Sequence, residues 1–148
     1  MEEVVIDTYA LMAIVYDEVS EDARKVFMRV KSGEVKGLVP ATVAYEYVVH
    51  WLRGRIPGLQ SLDEVMTYLR SYFKLVSLTT SDFIEAAKIK VEGDNILRNA
   101  EDEELRSRRL SIVDSTVIAL ALKRKAPLIT GDKDLAYVAR AKGVKVVW

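Results

Sequence analysis

Short runs of aliphatic residues alternate along the chain with longer segments of helical periodicity, and this alternation restricts the fold more than any other feature. Val4–Ile6, Lys36–Val39, Leu75–Leu78, Leu128–Thr130 and Val144–Val147 read as strands. The spacing predicts helices over Thr8–Asp17, Ser20–Ser32, Thr42–Leu52, Ile112–Lys125 and Lys133–Lys142. Two more are announced by their caps: Ser61-Leu62-Asp63-Glu64 opens a helix to about Tyr72, and Thr79–Asp82 caps one running to Glu92. Gly33 closes the second helix, and Gly54, Pro57 and Gly58 break the pattern after the third. The charged stretch from Gly93 to Ser111 is expected to be helical in part, from Asn99 to Arg109. Strands that are apolar throughout, each followed by a helix, belong to a parallel sheet covered on both faces, and right-handed crossovers limit its topology.

No repeat, low-complexity segment or linker interrupts residues 1–148, so a single domain is expected. Half of the residues are hydrophobic and 30% are charged, a balance that supports both a core and solubility. No apolar run is long enough for a membrane span, and the N-terminus lacks a basic-then-apolar signal pattern, so the expected location is cytoplasmic. The absence of cysteine excludes disulfides, thiolate metal sites and cysteine nucleophiles. The 22 basic and 22 acidic residues cancel, so any nucleic-acid contact must come from a local basic patch.

Four acidic residues stand in apolar surroundings. Asp7 ends Val4-Val5-Ile6, and Glu46 interrupts the helix Thr42–Leu52. Asp114 opens a strongly apolar helix, and Asp132 follows Leu128-Ile129-Thr130-Gly131. Sites in open parallel sheets form at the carboxyl ends of the strands. Asp7 and Asp132 lie at such ends, and Glu46 lies early in the helix after the second strand. Asp114 lies in the first turn of a helix that runs back antiparallel to the strands, so its start is at the same edge. Four free anions cannot share that edge: one pair about 4 Å apart repels by roughly 4 kcal/mol at an effective dielectric near 20. Some must be protonated, or a divalent cation must neutralise them. Oxygen donors without His or Cys favour Mg²⁺ or Mn²⁺, and such ions support phosphodiester hydrolysis.

Each acid also has a purely structural explanation. Asp7 can cap the helix beginning at Thr8, Asp114 can complete a capping box with Ser111, and Asp132 can cap the last helix. Glu46 has the weakest such account, because Val43, Val49 and Tyr47 around it look buried. His50, one turn further on, reads as a packing or surface residue. Arg106, Arg108, Arg109 and Lys133 are candidate phosphate contacts, with Arg53 and Arg55 similar, although Glu101–Glu104 nearby would equally suit a solvated face. Tyr45, Tyr47 and Trp51 suit a core or a dimer interface better than base stacking.

At the four acids the chain resembles the PIN-domain nucleases. Val-Val-Ile-Asp7-Thr8-Tyr9-Ala10-Leu11 is similar to the family's first motif, and Glu46 in Pro-Ala-Thr-Val-Ala-Tyr-Glu to its second. Asp114 in Leu-Ser-Ile-Val-Asp-Ser-Thr-Val-Ile-Ala-Leu-Ala is similar to the third, and Thr130-Gly131-Asp132-Lys133-Asp134-Leu135 to the fourth. The resemblance spans almost the whole chain. It implies a three-layer α/β/α fold with strand order 3-2-1-4-5 and Mg²⁺- or Mn²⁺-dependent hydrolysis of RNA. It assigns catalysis and metal binding to Asp7, Glu46, Asp114 and Asp132, with Asp134 the alternative to Asp132, and support to Thr8, Ser115 and Thr130. Many relatives carry a small polar residue where Tyr9 stands, a role Thr8 can share. Small members of this kind resemble VapC toxins of type II toxin–antitoxin pairs, which form homodimers and whose antitoxin blocks the cleft. A nuclease of RNA maturation or decay without an antitoxin, or a non-catalytic scaffold, are the alternatives.

Overall fold

Val4, Val5 and Ile6 have no exposed surface, because their strand lies at the centre of the sheet. The computed structural model describes residues 1–148. Five parallel strands, β1 (Glu3–Ile6), β2 (Lys36–Pro40), β3 (Lys74–Val76), β4 (Leu128–Ile129) and β5 (Val146–Val147), are ordered β3-β2-β1-β4-β5. Eight helices complete a three-layer α/β/α sandwich: α1 (Thr8–Val15), α2 (Glu21–Lys31), α3 (Ala41–Leu52), α4 (Leu62–Tyr72), α5 (Thr80–Arg98), α6 (Glu103–Arg106), α7 (Ile112–Arg124) and α8 (Lys133–Ala141). The expected fold class and strand order are both present.

Register fixes where the strands end. Val5 pairs with Leu38 on one side and with Leu128 on the other, and Ile6 pairs with Ile129. The chain builds outward from β1 through β2 to β3, then returns to the opposite side of β1 as β4. The sheet therefore reverses its winding between β1 and β4, where a crevice opens beyond the strand ends. Asp7 leaves one lip of that crevice and Thr130–Asp132 the other.

Helix α7 supports this edge from below. Its residues Ser115 through Ala121 are all buried, since it packs on β1 and β2 while α3 and α5 cover its other sides. A helix apolar all round belongs in such a position.

The stretch after Glu92 differs from expectation. Helix α5 continues through Gly93 to Arg98, and only the single turn Glu103–Arg106 is helical between Asn99 and Arg109. Glycine inside a helix costs about 1 kcal/mol relative to alanine. Here the missing side chain is needed, because a Cβ on Gly93 would sit 2.4 Å from Leu110 Cδ1 and 3.1 Å from Val138 Cγ1. The glycine is a packing notch, not a stop. Three smaller corrections follow from local geometry. β3 covers Lys74–Val76 rather than Leu75–Leu78. α1 ends at Val15, because Asp17 adopts a left-handed φ of 53°. Ser61 caps α4, but the Glu64 carboxylate accepts from the Gln60 N–H, so the reciprocal half of the box is absent.

Candidate active site

Asp7 is the most confined of the four acids, with 4% of its surface exposed. It caps α1: Oδ1 accepts from the Ala10 N–H at 2.8 Å. Oδ2 accepts from the Thr130 hydroxyl at 2.5 Å, across the gap between β1 and β4. The Thr130 oxygen in turn accepts from the Asp132 N–H at 3.0 Å. Asp132 then caps α8, its Oδ1 accepting from the N–H groups of Asp134 and Leu135 at 3.0 and 3.3 Å. One chain of donors thus joins both lips of the crevice.

Glu46 and Asp114 approach from the flanking helices. The Thr8 hydroxyl donates to Glu46 Oε1, tying α1 to α3. Asp114 completes a capping box, with its N–H donating to Ser111 Oγ at 3.0 Å and its Oδ2 accepting from the Ser111 N–H at 3.2 Å. Thr116 donates to the Val113 carbonyl at 2.7 Å, so its oxygen accepts from the Thr42 hydroxyl, also 2.7 Å away. That pair fixes α3 against α7, one turn before Glu46 and two residues after Asp114. The capping explanations for Asp7, Asp114 and Asp132 all hold, yet the same side chains meet in one place.

Asp7, Glu46, Asp114 and Asp132 all line one cleft of about 440 Å³, together with Thr8, Tyr9 and His50. Burial pushes the Asp7 carboxyl up to about 7, opposed by its hydrogen bonds from Thr130 and Ala10 and reinforced by the charges of Asp114 and Asp132. Burial likewise raises Asp114 to about 6, with the Asp132 and Glu46 charges adding to it and the Ser111 N–H opposing it. His50 is lowered by burial and by Arg55, whose guanidinium lies 3.1 Å from Nδ1.

Glu46, Asp114 and Asp132 each hold one carboxylate oxygen by hydrogen bonds and leave the other without a protein donor. Together with Asp7 they form an all-oxygen donor set, which suits Mg²⁺ or Mn²⁺. No three of the acids are gathered into a finished cage. Mg²⁺ does not require one, since it is usually held by one or two carboxylates and keeps several waters.

The other expected residues are distributed differently. Asp134 faces Arg108, its Oδ1 3.8 Å from the guanidinium Nε, and does not line the cleft. Ser115 is buried and donates to the Ser111 carbonyl at 2.9 Å within its own helix. Arg106 donates to the carbonyls of Ala100 and Glu101, Arg109 to those of Arg106 and Arg108, and Lys133 pairs with Asp102 and Glu104. None of these cations lines the cleft. Tyr47 is buried against Tyr68, Trp51 donates to the Leu59 carbonyl, and Tyr45 is exposed. Val49, expected to be buried beside Glu46, is only half-buried; Val43 and Tyr47 are the fully covered neighbours.

Two supporting features were not anticipated from sequence. Asp94 accepts from the Leu110 N–H at 2.8 Å, while Lys90 donates to Asp94 and to the Leu110 carbonyl, each at 2.7 Å. Both polar groups of Leu110 are thereby pinned to α5, one residue before Ser111 begins α7 and the Asp114 cap. The i, i+4 spacing of Lys90 and Asp94 was visible, but Gly93 between them suggested a break. The second feature is the packing of Gly131 between Tyr9 and Trp148, which are themselves in edge-to-face contact at 5.5 Å. A Cβ on Gly131 would lie 2.5 Å from both rings.

Elsewhere, a hollow of about 370 Å³ is lined mainly by apolar groups such as Phe27, Tyr68 and Phe73, and gathers no cluster of acids. No helix is long and apolar enough to cross a membrane.

Comparison with known proteins agrees with this geometry. No curated protein matches the chain significantly. VapC20 of Mycobacterium tuberculosis, a sarcin–ricin loop cleaving toxin, is similar in fold, with a TM-score of 0.62, 16% identity and 95% of each chain covered. VapBC2 from Rickettsia felis, bound to a promoter DNA fragment, aligns with a TM-score of 0.61 at 12% identity, covering 97% of this chain and 96% of that one. DNA-bound VapBC from Salmonella typhimurium aligns with a TM-score of 0.60 at 15% identity, covering 99% and 97%. At these identities the likeness is one of fold. The PIN domain family model matches residues 4–141, nearly the whole chain and all four acids, and the chain belongs to the PIN-domain family.

Proposed function

We propose that the chain is a divalent-metal-dependent endoribonuclease of the VapC toxin type, acting through Asp7, Glu46, Asp114 and Asp132. The observation that carries this reading is the convergence of those four carboxylates, from four separate elements, on one cleft where Asp7 and Asp114 are held well above the usual carboxylate range. Strongly perturbed acids clustered in a cleft are the mark of a functional site, and like charges so placed call for a cation.

Asp7, Asp114 and Asp132 are the groups that hold Mg²⁺ or Mn²⁺. When bound, the cation supplies Lewis-acid polarisation of the phosphate and neutralises charge developing on it. Thr130 keeps Asp7 oriented from across the crevice, and Thr8 holds Glu46 by one oxygen. The free oxygen of Glu46 orients the attacking water and accepts its proton. Water adds at phosphorus, the P–O3′ bond breaks, the departing 3′ oxygen takes a proton from solvent, and the products carry 5′-phosphate and 3′-hydroxyl ends.

The fold similarity to VapC20 and to two VapBC assemblies supports a toxin with an antitoxin partner. Exposed apolar side chains support protein contacts, including a homodimer: Tyr45 and Leu52 share a face of α3, and Ile84 and Val91 a face of α5.

The test is cleavage of single-stranded RNA with Mn²⁺ by the wild type and by Asp7→Asn and Asp114→Asn. The reading expects 5′-phosphate products from the wild type and a loss of about a hundredfold or more in each variant. Equal rates in all three proteins defeat it.

A further inference from the structure

A second hollow of about 760 Å³ adjoins the carboxylate cleft on the far side of the Thr130-Gly131-Asp132 turn. The two are separated by a ridge one residue wide. Asp132 and Tyr9 line the cleft, Trp148 lines the hollow, and Gly131 lies between the Tyr9 and Trp148 rings, while the buried Thr130 side chain is turned to Asp7. The space a side chain on Gly131 would fill is taken by the Tyr9 and Trp148 rings, so this aromatic pair forms the crest between the cleft and the hollow.

Beside aliphatic residues and the Asp102 carboxylate, which is paired with Lys133, two kinds of group in the hollow suit a nucleotide. Trp148 and Tyr137 offer aromatic surface, and Tyr137 is 37% exposed. Arg140 and Lys133 offer positive charge. Lys133 is neutralised by Asp102 and Glu104, at 2.6 and 3.2 Å. Arg140, in the last turn of α8, forms no ion pair or side-chain hydrogen bond and remains available to an anion. Aromatic surface beside an unpaired guanidinium is how proteins take an unpaired nucleotide, the ring stacking on the base and the cation meeting the phosphate. No arginine or lysine lines the carboxylate cleft, and Arg55 beside it is turned to His50.

We propose that this hollow is a nucleotide subsite, in which Trp148 stacks on one unpaired base flanking the scissile bond and Arg140 contacts its phosphate. The proposal rests on the ribonuclease reading and adds to it the side chains of this chain that receive one unpaired nucleotide beside the cut. Trp148 and Arg140 touch substrate away from the reacting atoms, so they act on binding and sequence preference more than on the chemical step.

Trp51 and Trp148 are the two tryptophans of the chain, so Trp51→Phe leaves Trp148 as the sole indole. The experiment titrates this protein with a short single-stranded RNA in Ca²⁺ while following tryptophan emission, with a blunt RNA duplex as the control. KM and kcat are then compared in Mn²⁺ for Trp148→Ala, Trp148→Phe and Arg140→Ala. The expected result is saturable quenching by the single strand only. Trp148→Ala and Arg140→Ala should each raise KM about tenfold with little change in kcat, and Trp148→Phe should recover most of the loss. Arg140 is exposed, so its variant reports binding even if Trp148→Ala destabilises the fold. Unchanged emission together with an unchanged KM for Arg140→Ala and Trp148→Phe, in a protein that still cleaves the RNA, overturns the subsite alone. A wild-type protein that neither binds nor cleaves RNA overturns both the subsite and the ribonuclease reading.

Discussion

The Thr130 hydroxyl donates to Asp7 Oδ2 at 2.5 Å, joining residues 123 apart in sequence across the point where the sheet reverses its winding. Neither residue alone makes a site. Together they hold a buried carboxyl in a fixed orientation at the mouth of the crevice, and the same Thr130 oxygen positions the Asp132 backbone. Thr130→Val keeps the shape and removes both bonds. It should lower stability by about 1–3 kcal/mol and weaken Mn²⁺ binding, while Thr130→Ser should restore most of each. Urea denaturation and metal titration of the two variants check this.

The raised Asp7 carboxyl gives the metal-free protein a specific pH dependence. Its ordinary value of 3.8 applies to the unfolded chain, and the folded value is about 7. Between them the folded form keeps a proton that the unfolded form has released, so stability is fully present below 3.8 and declines as pH rises toward about 7. Asp114 acts in the same direction between 3.8 and about 6. The melting temperature in a chelating buffer should therefore fall across this window, and Asp7→Asn should flatten the fall. Added Mn²⁺ should restore the loss at the upper end and release protons on binding. A profile that rises from pH 5 to 7 in both wild type and variant contradicts the assignment.

Asp94 and Lys90 act at a distance from the cleft. Asp94→Ala leaves the Leu110 N–H without its partner and the Lys90 ammonium with the Leu110 carbonyl alone. The expected destabilisation is about 1–3 kcal/mol. The segment entering α7 should loosen as well, so RNA cleavage should fall through poorer placement of Asp114. Amide exchange at Leu110 and Ser111 should quicken in the variant, an effect that a simple surface substitution such as Glu85→Ala should not produce.

Gly131→Ala tests the ridge. The new methyl group must displace two aromatic rings that would each lie 2.5 Å from it. Overpacking of this kind costs about 1–3 kcal/mol. Thermal denaturation of the variant measures it, and Tyr9→Ala in the same protein should relieve part of the loss by opening space on one side.

The meeting of the four acids at one sheet edge was legible in the residues, because each acid sits at a fixed place relative to a strand end or a helix start, whereas the strand order followed from the family resemblance. Asp7 and Asp132 could be placed from the apolar runs before them, and Asp114 from its capping box with Ser111. The hydrogen bonds that orient these acids were not legible in the same way. Thr8 and Glu46 are 38 residues apart, and Thr42 and Thr116 are 74 apart, so their pairing depends on helix phases that periodicity does not define. Gly93 misled for a different reason. A glycine in a charged stretch suggests a stop, and only the approach of Leu110 and Val138 reveals it as a packing notch. The arginines before α7 suggested a phosphate grip, yet Arg106 and Arg109 are satisfied by backbone carbonyls, an outcome that composition cannot foresee.

The central claim is that Asp7, Asp114 and Asp132, on separate elements, form one cation site with Glu46 beside it. Calorimetric titration of Mn²⁺ into the wild type, Asp7→Asn, Asp114→Asn and Asp132→Asn tests it most directly, with folding of each protein verified by circular dichroism. The account predicts saturable binding by the wild type, accompanied by proton release, and binding weakened about tenfold or more in every variant. Absence of binding by the folded wild type at millimolar Mn²⁺, or equal affinity in all four proteins, contradicts it.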